Sequence, residues 1–120
     1  MKLYRMMKVA ADGKPRVGDS FGTLGVRPST RTTGRTSDIT VDATGMVHRG
    51  TEGMSTFDTP NQLDSRHVDW VIESDAIGGD LSVEASPTTP GRYHIVPARS
   101  MTLAEYQYLL AETRDLWERV

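Results

Sequence analysis

The chain reads as a small α+β domain, a set of short strands closed by a C-terminal helix. Three observations predict this. Short apolar or alternating runs recur between strong turn signals. The last segment carries a helical apolar stripe. A length of 120 residues with 37% apolar content supplies one modest core, and at this size a single domain is expected across 1–120.

Lys2 to Val9 reads as the opening strand, with apolar residues crowded between Leu3 and Val9. Asp12-Gly13-Lys14-Pro15 ends it with turn chemistry. Arg27 to Asp38, RPSTRTTGRTSD, offers no apolar face to bury and reads as a mobile loop. Ile39-Thr40-Val41 and Met46-Val47-His48 read as two short strands about the turn Asp42-Ala43-Thr44-Gly45. Gly50 to Thr59 reads as turn-rich, and Asn61 to Arg66 as one or two helical turns. His67 to Glu73 places Val68, Trp70 and Ile72 on one face, which is strand periodicity.

Gly78-Gly79-Asp80 breaks the chain before the clean alternation of Leu81 to Ala85. Pro87 to Gly91 is a turn into the strand Arg92 to Val96, whose ladder Pro97 stops. Leu103, Tyr106, Leu110, Thr113, Trp117 and Val120 then recur at spacings of three and four on one helical stripe. Thr102-Leu103-Ala104-Glu105 fits a capping box at its start. No internal repeat or interdomain linker is visible.

Composition removes several function classes. With no cysteine, a disulfide scaffold, a thiolate zinc site and a cysteine nucleophile are excluded. No apolar run approaches the roughly 18 residues a membrane span needs, so no membrane association is expected. No signal peptide is visible, which makes the cytoplasm the default compartment. Export to a target cell by a machine that ignores N-terminal signals is equally compatible. The net charge of −2 is unevenly spread. Residues 1–50 hold nine Lys or Arg against four Asp, a balance of +5, and residues 51–120 hold five Arg against twelve Asp or Glu, a balance of −7. The basic half can attract phosphates and the acidic half a basic partner, or both are solvated surface.

His48, His67 and His94 fall on three separate predicted strands, without metal-ligand spacing, and no metal site is expected. No Gly-x-Ser-x-Gly elbow is present. Gly18 to Gly25 carries three glycines without a following Lys-Ser pair, so a P-loop is out. Arg27, Arg31 and Arg35 could grip nucleic acid, yet nearby aromatics are too few to stack bases and the net charge is negative. Nucleic acid is therefore not the expected partner. His48 to Phe57 gathers glycines and hydroxyls. Such a turn can bring backbone donors close to a ligand, or it is a loop with hydroxyl-capped turns.

Taken in order, Leu3-Tyr4-Arg5, Leu24-Gly25-Val26-Arg27-Pro28, Asp38-Ile39, Gly53-Met54-Ser55, Trp70-Val71-Ile72-Glu73, Gly91 to Pro97, Met101 and Tyr106 form a string spanning nearly the whole chain. This string resembles a family of small bacterial toxins with an ADP-ribosyltransferase-like fold, including type VI secretion effectors. The resemblance implies a split β-sheet that binds NAD in a cleft. NAD would be the substrate of an ADP-ribosyltransferase (a glycosyltransferase) or NAD glycohydrolase. It also implies a cognate immunity protein or antitoxin as partner.

Residue by residue, the resemblance puts Arg5 where the superfamily's first strand carries an NAD-holding arginine, with Tyr4 beside it. A planar guanidinium suits phosphate or ribose oxygens, although a strand arginine can also merely pair with a surface carboxylate. Ser55 and Thr56 match the hydroxyl-bearing strand start that shapes the nicotinamide pocket, and Gly53 would let the backbone come close. Tyr93 and His94 would line the cleft, His94 bonding a ribose hydroxyl or acting as a base.

The chain departs from the pattern at the third motif. No glutamate precedes the strand ending in Pro97; Arg92 and Tyr93 stand there instead. That acid stabilises the cation-like ribose as nicotinamide leaves, help worth roughly 3 kcal/mol. Glu84 has the wrong spacing to replace it, and Glu105 is explained by the helix cap. The departure leaves open an alternative of another class, a catalytically inactive module that acts by occupying a protein partner.

Overall fold

The computed structural model describes residues 1–30, 37–60 and 67–120. Its centre is β1 (Lys2–Met7), whose alternation sends Leu3 and Met7 into the core. On one side it pairs antiparallel along its full length with β4 (Val68–Glu73), from Lys2 opposite Glu73 to Met7 opposite Val68. On the other side lies β3 (Met54–Phe57), joined to β1 through the single register pair Tyr4 opposite Phe57.

Beyond β3 comes a hairpin of β6 (Arg92–Pro97) and β5 (Leu81–Ala85), paired from Leu81 opposite Pro97 to Ala85 opposite Tyr93. The far edge is β8 (Glu118–Arg119), so the sheet order is β5-β6-β3-β1-β4-β8, with every pair antiparallel. A second, two-stranded sheet joins β2 (Met46–Val47) to β7 (Met101–Thr102). The helix α1 (Leu103–Glu112) comes directly after β7. Among the described residues no helix is long and apolar enough to cross a membrane.

The helix buries Tyr106 and Leu110 against a core that includes Leu3, Met54, Ile72 and Ile95. Its start is capped as expected: the Glu105 amide donates to Thr102 Oγ1 at 3.1 Å. The Glu105 carboxylate turns to Arg99 instead of closing the box. The helix also holds a distant loop. Gln107 both accepts from the Val26 amide (3.1 Å) and donates to the Val26 carbonyl (2.9 Å), fastening the 24–26 segment to α1. Gly25 is required there, because a Cβ would lie 1.9 Å from the Gly18 carbonyl oxygen.

Four expectations need correction. Gly50 to Thr59 is not all turn: it contains β3, an interior strand whose first three residues are buried. Its local signal is glycines and hydroxyls, and burial between β1 and β6 overrides that preference. The helical stripe does not continue to Val120. Thr113 Oγ1 donates back to the Leu110 carbonyl at 2.7 Å, the helix stops, and a 3₁₀ turn (Arg114–Leu116) leads into β8. Trp117 still reaches the core, its indole N–H bonding Thr113 Oγ1 at 3.0 Å. Ile39 to Val41 forms no strand, only an isolated bridge between Ile39 and Pro28. Of the 27–38 segment, the ends are tied together, since the Asp38 amide donates to the Arg27 carbonyl at 2.7 Å. The helical turns expected at 61–66 lie outside the described residues, as do Arg31 and Arg35.

Candidate functional site

Arg5 shares the core side of β1 with Leu3 and Met7, opposite Trp70 in register. A buried guanidinium must find acceptors for its five N–H groups. Here they are carbonyls. Nη2 and Nε donate to the Thr23 carbonyl at 2.8 and 3.2 Å, and Nη1 donates to the Ser55 carbonyl at 2.8 Å. Longer contacts run from Nη1 to Ser55 Oγ (3.4 Å) and from Nη2 to the Gly25 carbonyl (3.5 Å). No described carboxylate forms an ion pair with it. Desolvation accordingly pulls the guanidinium down to about 10, against the opposing field of Asp38. It remains charged at neutral pH.

Past the Tyr4–Phe57 pair, β1 and β3 part, and a pocket of about 80 Å³ opens. Arg5, Met6, Ser55 and Arg92 line it from the sheet, Ser20, Phe21 and Gly22 from the loop after β1, and Arg27 and Asp38 from the connecting segment. Gly22, at a φ of +75°, turns the loop over the rim, where a Cβ would lie 2.7 Å from His67 Nε2. Among the described residues the charge balance is three guanidiniums against one carboxylate. Asp38 is already engaged: its Oδ2 accepts from the Arg27 amide at 2.7 Å and lies 3.7 Å from Arg27 Nε. The remaining field is that of Arg5 and Arg92, and it favours an anion.

The residues singled out from sequence divide between the two faces of the sheet. Arg5 and Ser55 meet at the pocket. His94 is the register partner of Ser55, and Tyr4 is opposite Phe57. His94 Nδ1 donates to the Thr51 carbonyl, which can only accept, and Nε2 is the ring nitrogen outside that contact. Thr56 lies on the other face from Ser55, the core side that Arg5 shares: it is fully buried, and its hydroxyl donates to the Tyr93 carbonyl at 3.0 Å. Tyr93 packs against the core. Gly53 serves helix packing, since a Cβ there would lie 2.3 Å from the Ile95 carbonyl oxygen and 2.8 Å from the Tyr106 hydroxyl.

Sequence reasoning missed the cationic character of the pocket. Arg92 stands opposite Phe57 in register, its Cζ 5.4 Å from the ring centroid. That pairing becomes visible only once β3 is known to be a strand. Ser20, Phe21, Arg27 and Asp38 carry no local signal of a site. Glu84 proves to be the register partner of His94 on its other side, so Ser55, His94 and Glu84 form a row across three strands.

A second polar cluster lies on the small sheet. His48 Nδ1 is 2.7 Å from Ser100 Oγ, and His48 Nε2 is 2.7 Å from Asp42 Oδ2. Asp42 also accepts from the Thr44 and Met46 amides, at 2.9 and 3.0 Å. The His48 hydrogen bond, with those amides, holds the Asp42 carboxyl well below the usual carboxylate range. The cluster clamps the turn before β2 to the residue preceding β7. Among the described residues no group of three His, Cys, Asp or Glu is placed to hold a metal ion. Comparison with protein-family models and with curated proteins finds no match to this chain.

Proposed function

We propose that this domain binds NAD at the opening between β1 and β3 and breaks its nicotinamide–ribose bond, as a toxin of the ADP-ribosyltransferase-like class. One observation carries the reading: a buried guanidinium without a carboxylate partner, Arg5, lies against the Ser55 hydroxyl in a pocket that also holds Arg92. A buried positive charge satisfied only by neutral dipoles is stabilised further by a nearby anion. The diphosphate of a dinucleotide supplies one. Sites enclosing a whole ligand run to about 300–1,000 Å³, so at about 80 Å³ the pocket leaves most of a dinucleotide outside.

In the proposed reaction the bond from ribose C1 to the nicotinamide nitrogen breaks, and its electron pair neutralises the pyridinium. An acceptor oxygen, from water or a macromolecule, forms the new bond to C1 and gives up a proton. His94 Nε2, the ring nitrogen not used in the Thr51 contact, is the base beside Ser55. Glu84, opposite His94, is the carboxylate nearest to it in the ladder, and it gives the row negative charge to set against the cation-like ribose. Incubation with NAD is expected to release nicotinamide, with Ser55→Ala and His94→Ala each reducing the rate at unchanged melting temperature. Release no faster than in a protein-free blank would refute the activity.

A second reading is an inactive module that acts by protein contact. It is favoured by the state of Asp38, the one carboxylate among the described lining residues, which is tied to Arg27. Under that reading, growth inhibition on expression in bacteria survives Ser55→Ala and His94→Ala, and intracellular NAD stays constant. Under either reading the producing cell needs a neutralising partner protein.

A further inference from the structure

We propose that Arg92 is the residue that directly grips the ligand's diphosphate, while Arg5 is a positioning residue that supplies charge without contact. This rests on the dinucleotide-binding role proposed for the pocket and assigns its specificity. The three guanidiniums are not equivalent. Arg5 spends its donors on the carbonyls of Thr23, Ser55 and Gly25. Arg27 is paired with Asp38. The Arg92 backbone bonds Thr89 and Ser86, but its side chain has no hydrogen bond to a described residue, and its buried Nε has no partner.

A buried donor without an acceptor is rare in a folded chain and invites an acceptor from outside. Stacking on Phe57, with Cζ 5.4 Å from the ring centroid, holds the guanidinium plane and leaves its N–H groups to bond edge-on. Two parallel N–H donors match two oxygens of a phosphate, and this bidentate geometry is what an ammonium cannot reproduce.

Calorimetric titration with ADP-ribose, inorganic pyrophosphate and nicotinamide riboside tests the assignment. Wild type is expected to bind the first two and not the third, which lacks the diphosphate. Arg92→Ala is expected to weaken both by roughly tenfold or more, and Arg92→Lys to recover only part, with melting temperatures near wild type. Arg92→Gln keeps a planar donor without the charge and serves if the alanine variant does not fold. ADP-ribose affinity in the Arg92 variants within twofold of wild type overturns the assignment and leaves the pocket's proposed role standing. Failure of the wild type to bind either diphosphate overturns that role itself. Loss of pyrophosphate binding alone, with ADP-ribose binding retained in Arg92→Ala, also rejects Arg92 as the diphosphate ligand.

Discussion

Arg5 and Ser55, 50 residues apart in the chain, are joined by a 2.8 Å hydrogen bond from Nη1 to the Ser55 carbonyl. The same guanidinium holds the Thr23 carbonyl at 2.8 Å. One side chain therefore ties the loop above the sheet to the strand on the other side of the opening. It shapes the pocket before any ligand arrives.

Arg5→Ala is accordingly a stability variant as well as a site variant. It strands the Thr23 and Ser55 carbonyls in a buried place, and unfolding free energy is expected to fall by about 3 kcal/mol. Urea denaturation measures this. Arg5→Lys, with fewer donors on a point charge, is expected to restore part of the loss. An unchanged Arg5→Ala midpoint would show that the carbonyls have other partners.

Gly53→Ala places a methyl 2.3 Å from the Ile95 carbonyl oxygen and 2.8 Å from the Tyr106 hydroxyl. Both neighbours are fixed in the core, so α1 or β3 must shift, at a cost of roughly 1–3 kcal/mol. Thermal unfolding is the measurement. A variant as stable as wild type would mean that the helix rides freely on the sheet.

Alkaline pH separates two buried groups. The Tyr106 hydroxyl accepts from the Met54 amide at 3.1 Å and donates to the Ile95 carbonyl. Burial pushes its pKa above the ordinary 10.0. Above that pH the unfolded chain loses this proton before the folded one does, so stability drops as pH rises through the window. Arg5 acts oppositely: its folded value of about 10 lies below the ordinary 12.5, the unfolded state holds more protons between them, and stability rises there. Tyr106→Phe is expected to remove the downward slope in denaturation series above pH 10. A slope identical to wild type would place the titration elsewhere.

Acid pH tests the His48 cluster. The folded Asp42 carboxyl is depressed below its ordinary 3.8, so its contribution is present above that pH and is lost as pH falls through the folded value. Asp42→Asn is expected to lower stability at neutral pH and to flatten the decline below pH 4. Equal acid sensitivity in variant and wild type would contradict the clamp.

Where a segment's pattern and its neighbours demand the same conformation, the sequence was sufficient. Leu81 to Ala85 alternates and is β5 to the residue. Thr102 caps α1 because its hydroxyl meets the Glu105 amide within one turn of chain. Met54 to Phe57 gave no such signal, since two of its four residues are hydroxylic and a glycine precedes it; strand pairing on both sides makes it β3. Trp117 kept the helical spacing and still left the helix, because Glu118 and Arg119 pair with the edge of β4.

The candidate site shows the same division. Residue types alone left Arg5 and Ser55 with ordinary structural readings and only the resemblance put them forward, while the periodicity of a strand sets Ser55 and Thr56 on opposite faces. Which face holds the pocket depended on register, and register is set by partners far away in the chain. Tertiary structure alone decided that Thr56 is sealed in the core and that Arg92 stands over Phe57. Composition and local pattern determine elements such as β5 and the start of α1, because those preferences act over a few residues. The opening between β1 and β3, and the charge inside it, arise from contacts such as that of Arg5 with Ser55, 50 positions apart, which no local preference encodes.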